Sequence, residues 1–241
     1  MNALIGHTGF VGSNILEQCS EIDFCYNSKN IGEIKGMKFD TLICSGVRAT
    51  KWLANKNPKE DLLQIIDLIT NIRKCSFNKI ILISTIGIYT DDSYGKNREY
   101  LEDYIKNNHK DFLIVRLPGL FGKGLKKNPV YNLMNGILDY LPSNESTLQY
   151  YCLDNIWKDI NIAIDNNLST INIGTEPILF KDILDLFGYK ISNEILSSKV
   201  SEDMQTEKAK HWNKKGNYLY SKEEVLFELK NYIENGEYNG K

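Results

Sequence analysis

No apolar stretch in this sequence comes near the ~20 residues that a bilayer-spanning helix requires. The amino end, Met1-Asn2-Ala3-Leu4-Ile5, lacks the basic start and apolar core of a secretory signal. Both absences lead to the expectation of a cytoplasmic protein. Cys19, Cys25, Cys44, Cys75 and Cys152 are odd in number, form no CxxC pair and sit mostly inside apolar runs. They read as buried reduced thiols, not as a disulfide framework. The histidines, His7, His109 and His211, are few and far apart, so a zinc site has little support and no metal is expected. An excess of one charge is missing too, with 29 Lys+Arg against 31 Asp+Glu. Nucleic acid and anionic membranes therefore have no basic surplus to bind, and the expected partner is a small molecule.

What the chain does have is an ordinary globular composition over 241 residues, 42% hydrophobic and 25% charged, enough for one large domain or a domain with a small appendage. Short apolar or β-branched runs alternate with longer segments of helical period, the pattern of βαβ units and a parallel sheet. Strands are expected at 2–5, 23–26, 39–44, 79–84, 112–116, 150–153 and 170–173. Helices are expected at 10–19, 58–75, 93–107, 130–138, 153–166, 180–187 and 222–234. Several strands are apolar throughout, as where helices cover both faces of a sheet. The boundary is placed at residue 118, with a cofactor-binding portion over 1–118 and a smaller substrate-capping portion over 119–241. The two are expected to interleave, because the strands at 150–153 and 170–173 are expected to return to the main sheet. The polar stretch 197–217 is the candidate for a mobile or ligand-covering segment.

Gly6-His7-Thr8-Gly9-Phe10-Val11-Gly12 follows the first strand and opens a helix. A pyrophosphate needs such a tight turn, close backbone approach and free N–H groups at a helix start, where the dipole also favours negative charge. The GxxGxxG spacing resembles that of the extended short-chain dehydrogenases/reductases, the family of sugar-nucleotide epimerases, dehydratases and reductases. Further segments resemble it in order: Cys44-Ser45-Gly46 after the third strand, KIILISTIGIY over 79–89, FLIVRLPGLFGKG over 112–124, the segment around Asp154, and INIGTEP with Asn172, Gly174 and Pro177. The resemblance covers about residues 1–186. It implies a Rossmann-like, doubly wound parallel α/β fold. It also implies a dinucleotide held by Gly6, Thr8, Gly9, Phe10, Val11 and Gly12, with Cys44, Ser45, Gly46, Leu117 and Gly119 along the rest of it.

After the second strand, an NAD site would carry an acid for the ribose 2′-OH. Asp23 falls too early, and Tyr26-Asn27-Ser28-Lys29-Asn30 offers a hydroxyl and a lysine instead. Ser28 and Lys29 thus point to the 2′-phosphate of NADP, with NAD as the alternative. For catalysis the resemblance implies hydride transfer, with Thr85 polarising the reacting oxygen and Tyr94 moving the proton. Where the family carries a lysine four residues after the tyrosine, this chain has Arg98, on the same helix face as Tyr94. Arg98 supplies the charge, and is expected to hold the nicotinamide ribose, but it does not give up a proton. Ile86-Gly87 replaces the acid pair of the family's dehydratases, which leaves epimerase or keto-reductase chemistry. Gly87, Lys126, Lys127 and Asn128 are the substrate-side candidates for a nucleotide-linked sugar. Gly119 stands where the family often has an asparagine for the sugar nucleotide. Two other readings stay open: a non-catalytic dinucleotide-binding sensor or assembly subunit, and a reductase of a non-nucleotide carbonyl compound. A homodimer is expected through the apolar faces of the helices at 58–75 and 93–107.

Overall fold

The structure, a computed structural model, describes residues 1–191 and 197–235. The chain divides into two compact units, Met1–Leu117 with Ile156–Asn172, and Pro118–Asn155 with Ile173–Lys241.

In the first unit the strands are β1 (Asn2–Ile5), β2 (Phe24–Tyr26), β3 (Lys38–Cys44), β4 (Ser76–Thr85), β5 (Phe112–Leu117) and β9 (Thr170–Asn172). All pair in parallel, in the order β2-β1-β3-β4-β5-β9. Ile80, Ile81 and Leu82 on β4 and Leu113, Ile114 and Val115 on β5 are buried at consecutive positions, so both faces of the sheet need cover. On one face Ile80, Leu82 and Ile114 pack with Ile65, Leu68 and Ile72 of α3 (Pro58–Ile72) and with Leu101 and Ile105 of α4 (Ser93–Asn108). Ile81 on β4 and Leu113 and Val115 on β5 point the other way. There α1 (Phe10–Gln18) and α6 (Ile156–Asp165) contact each other, β1 and β5.

The helix starts follow from local chemistry. Pro58 opens α3, where a missing N–H costs nothing, with Glu60 and Asp61 in the first turn. Asp92 caps α4, its carboxylate accepting the Gly95 N–H at 2.8 Å. The short helix α2 (Lys51–Lys56) escapes a reading by period, because six residues make under two turns. The register sets Ser84 beside Arg116, Thr85 beside Leu117 and Arg116 beside Asn172. These residues line the carboxyl edge of the sheet, where open α/β folds bind ligands.

The second unit carries β6 (Gly119–Phe121), β7 (Thr147–Leu148), β8 (Tyr150–Cys152), β10 (Ile178–Leu179), α5 (Pro129–Met134), α7 (Phe180–Leu186) and α8 (Lys222–Glu234). The strand at 150–152 does not return to the main sheet, in contrast to β9; it pairs in parallel with β6. Three consecutive buried residues mark a buried strand but not its partner, and here the partner is a segment that reads as loop. Gly119 permits the approach, since a Cβ there would stand 2.7 Å from the Gln149 carbonyl.

The polar stretch 197–217 is tied down and is not the loose segment its composition suggests. Thr147 N–H donates to the Val200 carbonyl at 3.0 Å, and Glu202 N–H donates to the Thr147 carbonyl at 2.9 Å. The fully buried Gln149 amide accepts from Met204 N–H at 2.6 Å and donates to the Met204 carbonyl at 2.9 Å. Met204, Ala209 and Trp212 are buried as well. No helix among the described residues is long and apolar enough to cross a membrane.

Candidate active site

The glycine turn builds a cradle at the carboxyl end of β1. Gly6 has φ +87°, in the region that favours glycine, and its N–H donates to the Tyr26 carbonyl at 2.7 Å. A Cβ on Gly12 would lie 2.2 Å from the Gly6 carbonyl oxygen and 2.6 Å from Ser45 Oγ. Ser45 in turn donates to the Ile5 carbonyl through both its N–H, at 3.0 Å, and its Oγ, at 2.8 Å. The turn, the start of α1 and the loop after β3 are thus packed at glycine distance. Gly9 caps α1 without a side-chain hydrogen bond, so the N–H groups of Phe10, Val11 and Gly12 open the helix in the manner an anion requires. Thr8 and Gly9 are exposed beside them. His7 Nδ1–H donates to the Tyr26 carbonyl at 3.0 Å and serves to hold the turn.

Past β2 the chain folds into a turn pinned by Asn27 and Asn30. Lys29 N–H donates to Asn27 Oδ1 at 2.8 Å, and Asn27 N–H to Asn30 Oδ1 at 2.7 Å. Ser28 and Lys29 are both exposed at this turn. Cys44 is fully buried, and that burial pushes its thiol up to about 11. Cys19 and Cys152 are buried too, Cys25 and Cys75 partly so, and all five are free thiols.

At the end of β4 the hydroxyl and the phenol come together across a glycine. A Cβ on Gly87 would meet Tyr94 Cε1 at 2.9 Å and Thr85 Oγ1 at 3.3 Å. Thr85 Oγ1 accepts the Gly87 N–H at 3.0 Å. Tyr94 is 6% exposed, its N–H donates to Asn55 Oδ1 on α2 at 2.8 Å, and the Arg98 guanidinium lies over its ring, 4.5 Å from the centroid. Arg98 itself is turned to a partner that the sequence reading did not name. It donates to both carboxylate oxygens of Asp61, at 2.8 and 3.0 Å, and to the Arg48 carbonyl at 3.0 Å. Asp61 was recognisable in principle, as an acid on the stripe of α3 that also carries Ile65, Leu68 and Ile72.

A second polar cluster joins three of the motif segments. Tyr89 Oη accepts from Arg116 Nη1 at 2.7 Å and from Asn172 Nδ2 at 3.1 Å. Arg116 also donates to Glu102 through Nε, at 3.0 Å, and Nη2, at 2.6 Å, and Ser84 Oγ donates to Glu102 at 2.6 Å. Glu102 has no exposed surface. Burial alone would raise its carboxyl, but the hydrogen bonds from Arg116 and Ser84 outweigh it and hold the group below its ordinary value. The unfolded chain therefore binds that proton more readily, and the stabilisation is present above the usual glutamate value and lost as pH falls through the lowered one. Glu102→Gln should cost about 3–5 kcal/mol by leaving Arg116 buried and uncompensated. Its melting temperature should depend less on pH below about 4.5 than that of the unmodified protein, as read by thermal melts from pH 7 to 3.

The remaining candidates lie elsewhere. Leu117 closes β5 in the first unit, buried. Gly119, Lys126, Lys127 and Asn128 belong to the second unit. Gly119 N–H donates to the Gln149 carbonyl at 3.0 Å within the β6–β8 pair. Lys126 and Lys127 are exposed. Asn128 caps α5, accepting from Tyr131 N–H at 2.9 Å and donating to the Leu120 carbonyl at 2.7 Å. Its amide therefore has a structural use that the sequence reading did not assign.

A parallel sheet in this strand order, with a glycine cradle at β1 and a Thr/Tyr pair at the β4 edge, is a Rossmann-like, doubly wound α/β architecture. Solved structures with this fold include UDP-glucose 4-epimerase from Thermotoga maritima, solved with UDP-glucose. It is 15% identical over 98% of this chain and 99% of that one, with a TM-score of 0.74. UDP-glucose 4-epimerase from Thermus thermophilus, in complex with NAD, is 13% identical over 97% and 99%, with a TM-score of 0.69. dTDP-4-dehydrorhamnose reductase from Bacillus anthracis, in complex with NADP, is 14% identical over 97% of each chain, with a TM-score of 0.72. No protein-family model and no curated protein matches the sequence.

Proposed function

We propose that this chain is a cytoplasmic NADP-dependent oxidoreductase or epimerase acting on a nucleotide-linked sugar or its keto form. The observation that carries the reading is one unit holding both an uncapped glycine cradle and a hydroxyl and phenol on the two sides of Gly87. The dinucleotide, when bound, supplies or accepts a hydride. In the reducing direction Tyr94 would give its phenolic proton to the substrate's carbonyl oxygen as that carbon takes up the hydride, and the phenolate would be reprotonated from solvent. Thr85 hydrogen-bonds that oxygen and orients it. Gly6, Gly9 and Gly12 with the start of α1 take the pyrophosphate, and Cys44, Ser45, Gly46, Leu117 and Gly119 flank the remainder of the cofactor. Gly87, Lys126, Lys127 and Asn128 are the residues proposed for the substrate from their place in the sequence. The epimerases and the reductase of like fold support the reaction class.

The test is a screen of UDP-, GDP-, CDP- and dTDP-sugars, their 4-keto forms and small ketones for NADPH consumption. Turnover of the small ketones alone would replace the nucleotide-sugar assignment. A dinucleotide that binds without any turnover would favour a non-catalytic sensor or assembly subunit.

For the cofactor, NADPH should bind more tightly than NADH. Lys29→Ala should narrow the gap by about 1.5–3 kcal/mol, the worth of a charge-assisted contact to the 2′-phosphate. Titration of both dinucleotides decides this, and equal affinities in the unmodified protein would remove the NADP preference. Leu63, at 64% exposed, and Ile66, at 40%, on α3, with Tyr100, at 50%, on α4, leave apolar surface that a second copy would cover. Light scattering at tens of micromolar should therefore give twice the 27.7 kDa chain mass.

A further inference from the structure

We infer that Asp61 is a positioning residue for Tyr94, acting through Arg98, whose guanidinium it fixes as a buried fork lying over the phenol ring. The inference rests on Tyr94 as the proton-transferring group of the proposed function. Asp61 and Arg98 meet through two parallel hydrogen bonds, at 2.8 and 3.0 Å, with side chains only 8% and 6% exposed. Such a pair has a defined plane as well as a charge. A third bond, from Arg98 to the Arg48 carbonyl at 3.0 Å, removes the remaining rotation.

The guanidinium held this way stands 4.5 Å from the centre of the Tyr94 ring and makes a cation–π contact. The ring edge is stopped by the backbone at Gly87, and Asn55 takes the Tyr94 N–H. Asp61 grips α4 at the neighbouring residue as well, since Asn97 Nδ2 donates to it at 2.9 Å. The phenol is thus bounded by Arg98 and by Gly87, and what stops Arg98 from moving is Asp61. A lysine has one ammonium and no plane, so it could not span both oxygens and lie over the ring. This accounts for arginine at position 98 without a contact to the ribose, since both terminal nitrogens are already committed to protein oxygens.

The test compares Asp61→Asn, Arg98→Lys and the double variant Asp61→Leu/Arg98→Met, which removes both charges and keeps an apolar interior. For each, kcat, KM and the dissociation constant for NADPH are measured, and a crystal structure with dinucleotide is determined. All three should lose about tenfold or more in kcat while the NADPH dissociation constant stays within about twofold, and the Tyr94 ring should leave its place beside Gly87. Arg98→Lys, although it keeps the positive charge, should not keep the rate. Asp61→Asn with unchanged kcat and a lowered melting temperature would overturn the inference. So would a tenfold loss of NADPH affinity in Arg98→Lys, which would put Arg98 at the ribose. If the unmodified protein turns over no substrate, the proposed function fails, while the Tyr94 ring position and the NADPH affinities still decide the role of Asp61.

Discussion

Tyr94→Phe should lower turnover by about 100-fold or more and leave the dinucleotide affinity nearly unchanged. The substitution removes one oxygen from a ring whose other contacts persist: the guanidinium 4.5 Å from its centre and the backbone at Gly87. Among the described residues the phenol oxygen makes no hydrogen bond, so its loss strands no buried partner. The fold should keep its melting temperature to within a few degrees. A hundredfold loss corresponds to about 2.7 kcal/mol of transition-state stabilisation, the range expected for a positioned proton donor. Initial rates on the substrate found by the screen, set beside NADPH titration of the same preparation, separate the chemical step from binding. Full activity in the variant would take the proton-transfer role away from Tyr94.

Gly12→Ala should reduce dinucleotide affinity by about 100-fold or more and destabilise the protein by about 1–3 kcal/mol. The added methyl would stand 2.2 Å from the Gly6 carbonyl oxygen, 2.7 Å from its carbon and 2.6 Å from Ser45 Oγ. Two of those three atoms are backbone, so no side-chain rotation relieves the clash. The turn must open, which displaces α1 from the end of β1 and spreads the N–H groups that the pyrophosphate would use. Gly32→Ala is the matched control, because a Cβ there meets nothing within 4 Å; its stability should stay within about 0.5 kcal/mol of the unmodified protein. Thermal melts and NADPH titration of the two variants measure the contrast. Normal binding by Gly12→Ala would mean that the cradle is not the dinucleotide site.

The strands of the main sheet were readable because burial on both faces writes itself as unbroken apolar runs. Ile80-Ile81-Leu82 and Leu113-Ile114-Val115 carry that signal, and the glycines at 6, 9 and 12 mark the turn between β1 and α1. Glu102 was missed although it shares the buried stripe of α4 with Tyr94, Arg98, Leu101 and Ile105. A charged residue at such a position signals a buried partner, but that partner, Arg116, lies on a strand 14 residues away. The strand at 150–152 was read correctly as a strand and wrongly as part of the main sheet. Its own residues state burial, whereas its neighbour depends on the chain turning at Pro118 into β6.

Local order came from the sequence alone: periods, caps and glycines act over a few residues, and their energetics are settled by near neighbours. Partnership came only from the tertiary structure. Arg98 has the same side chain whether it faces a ribose or Asp61. The choice is made by α3 and α4 lying side by side on the sheet, which brings a carboxylate 37 residues distant to within 2.8 Å of the guanidinium. The long-range pairing of buried charges depends on which surfaces meet, and no spacing along the chain encodes that.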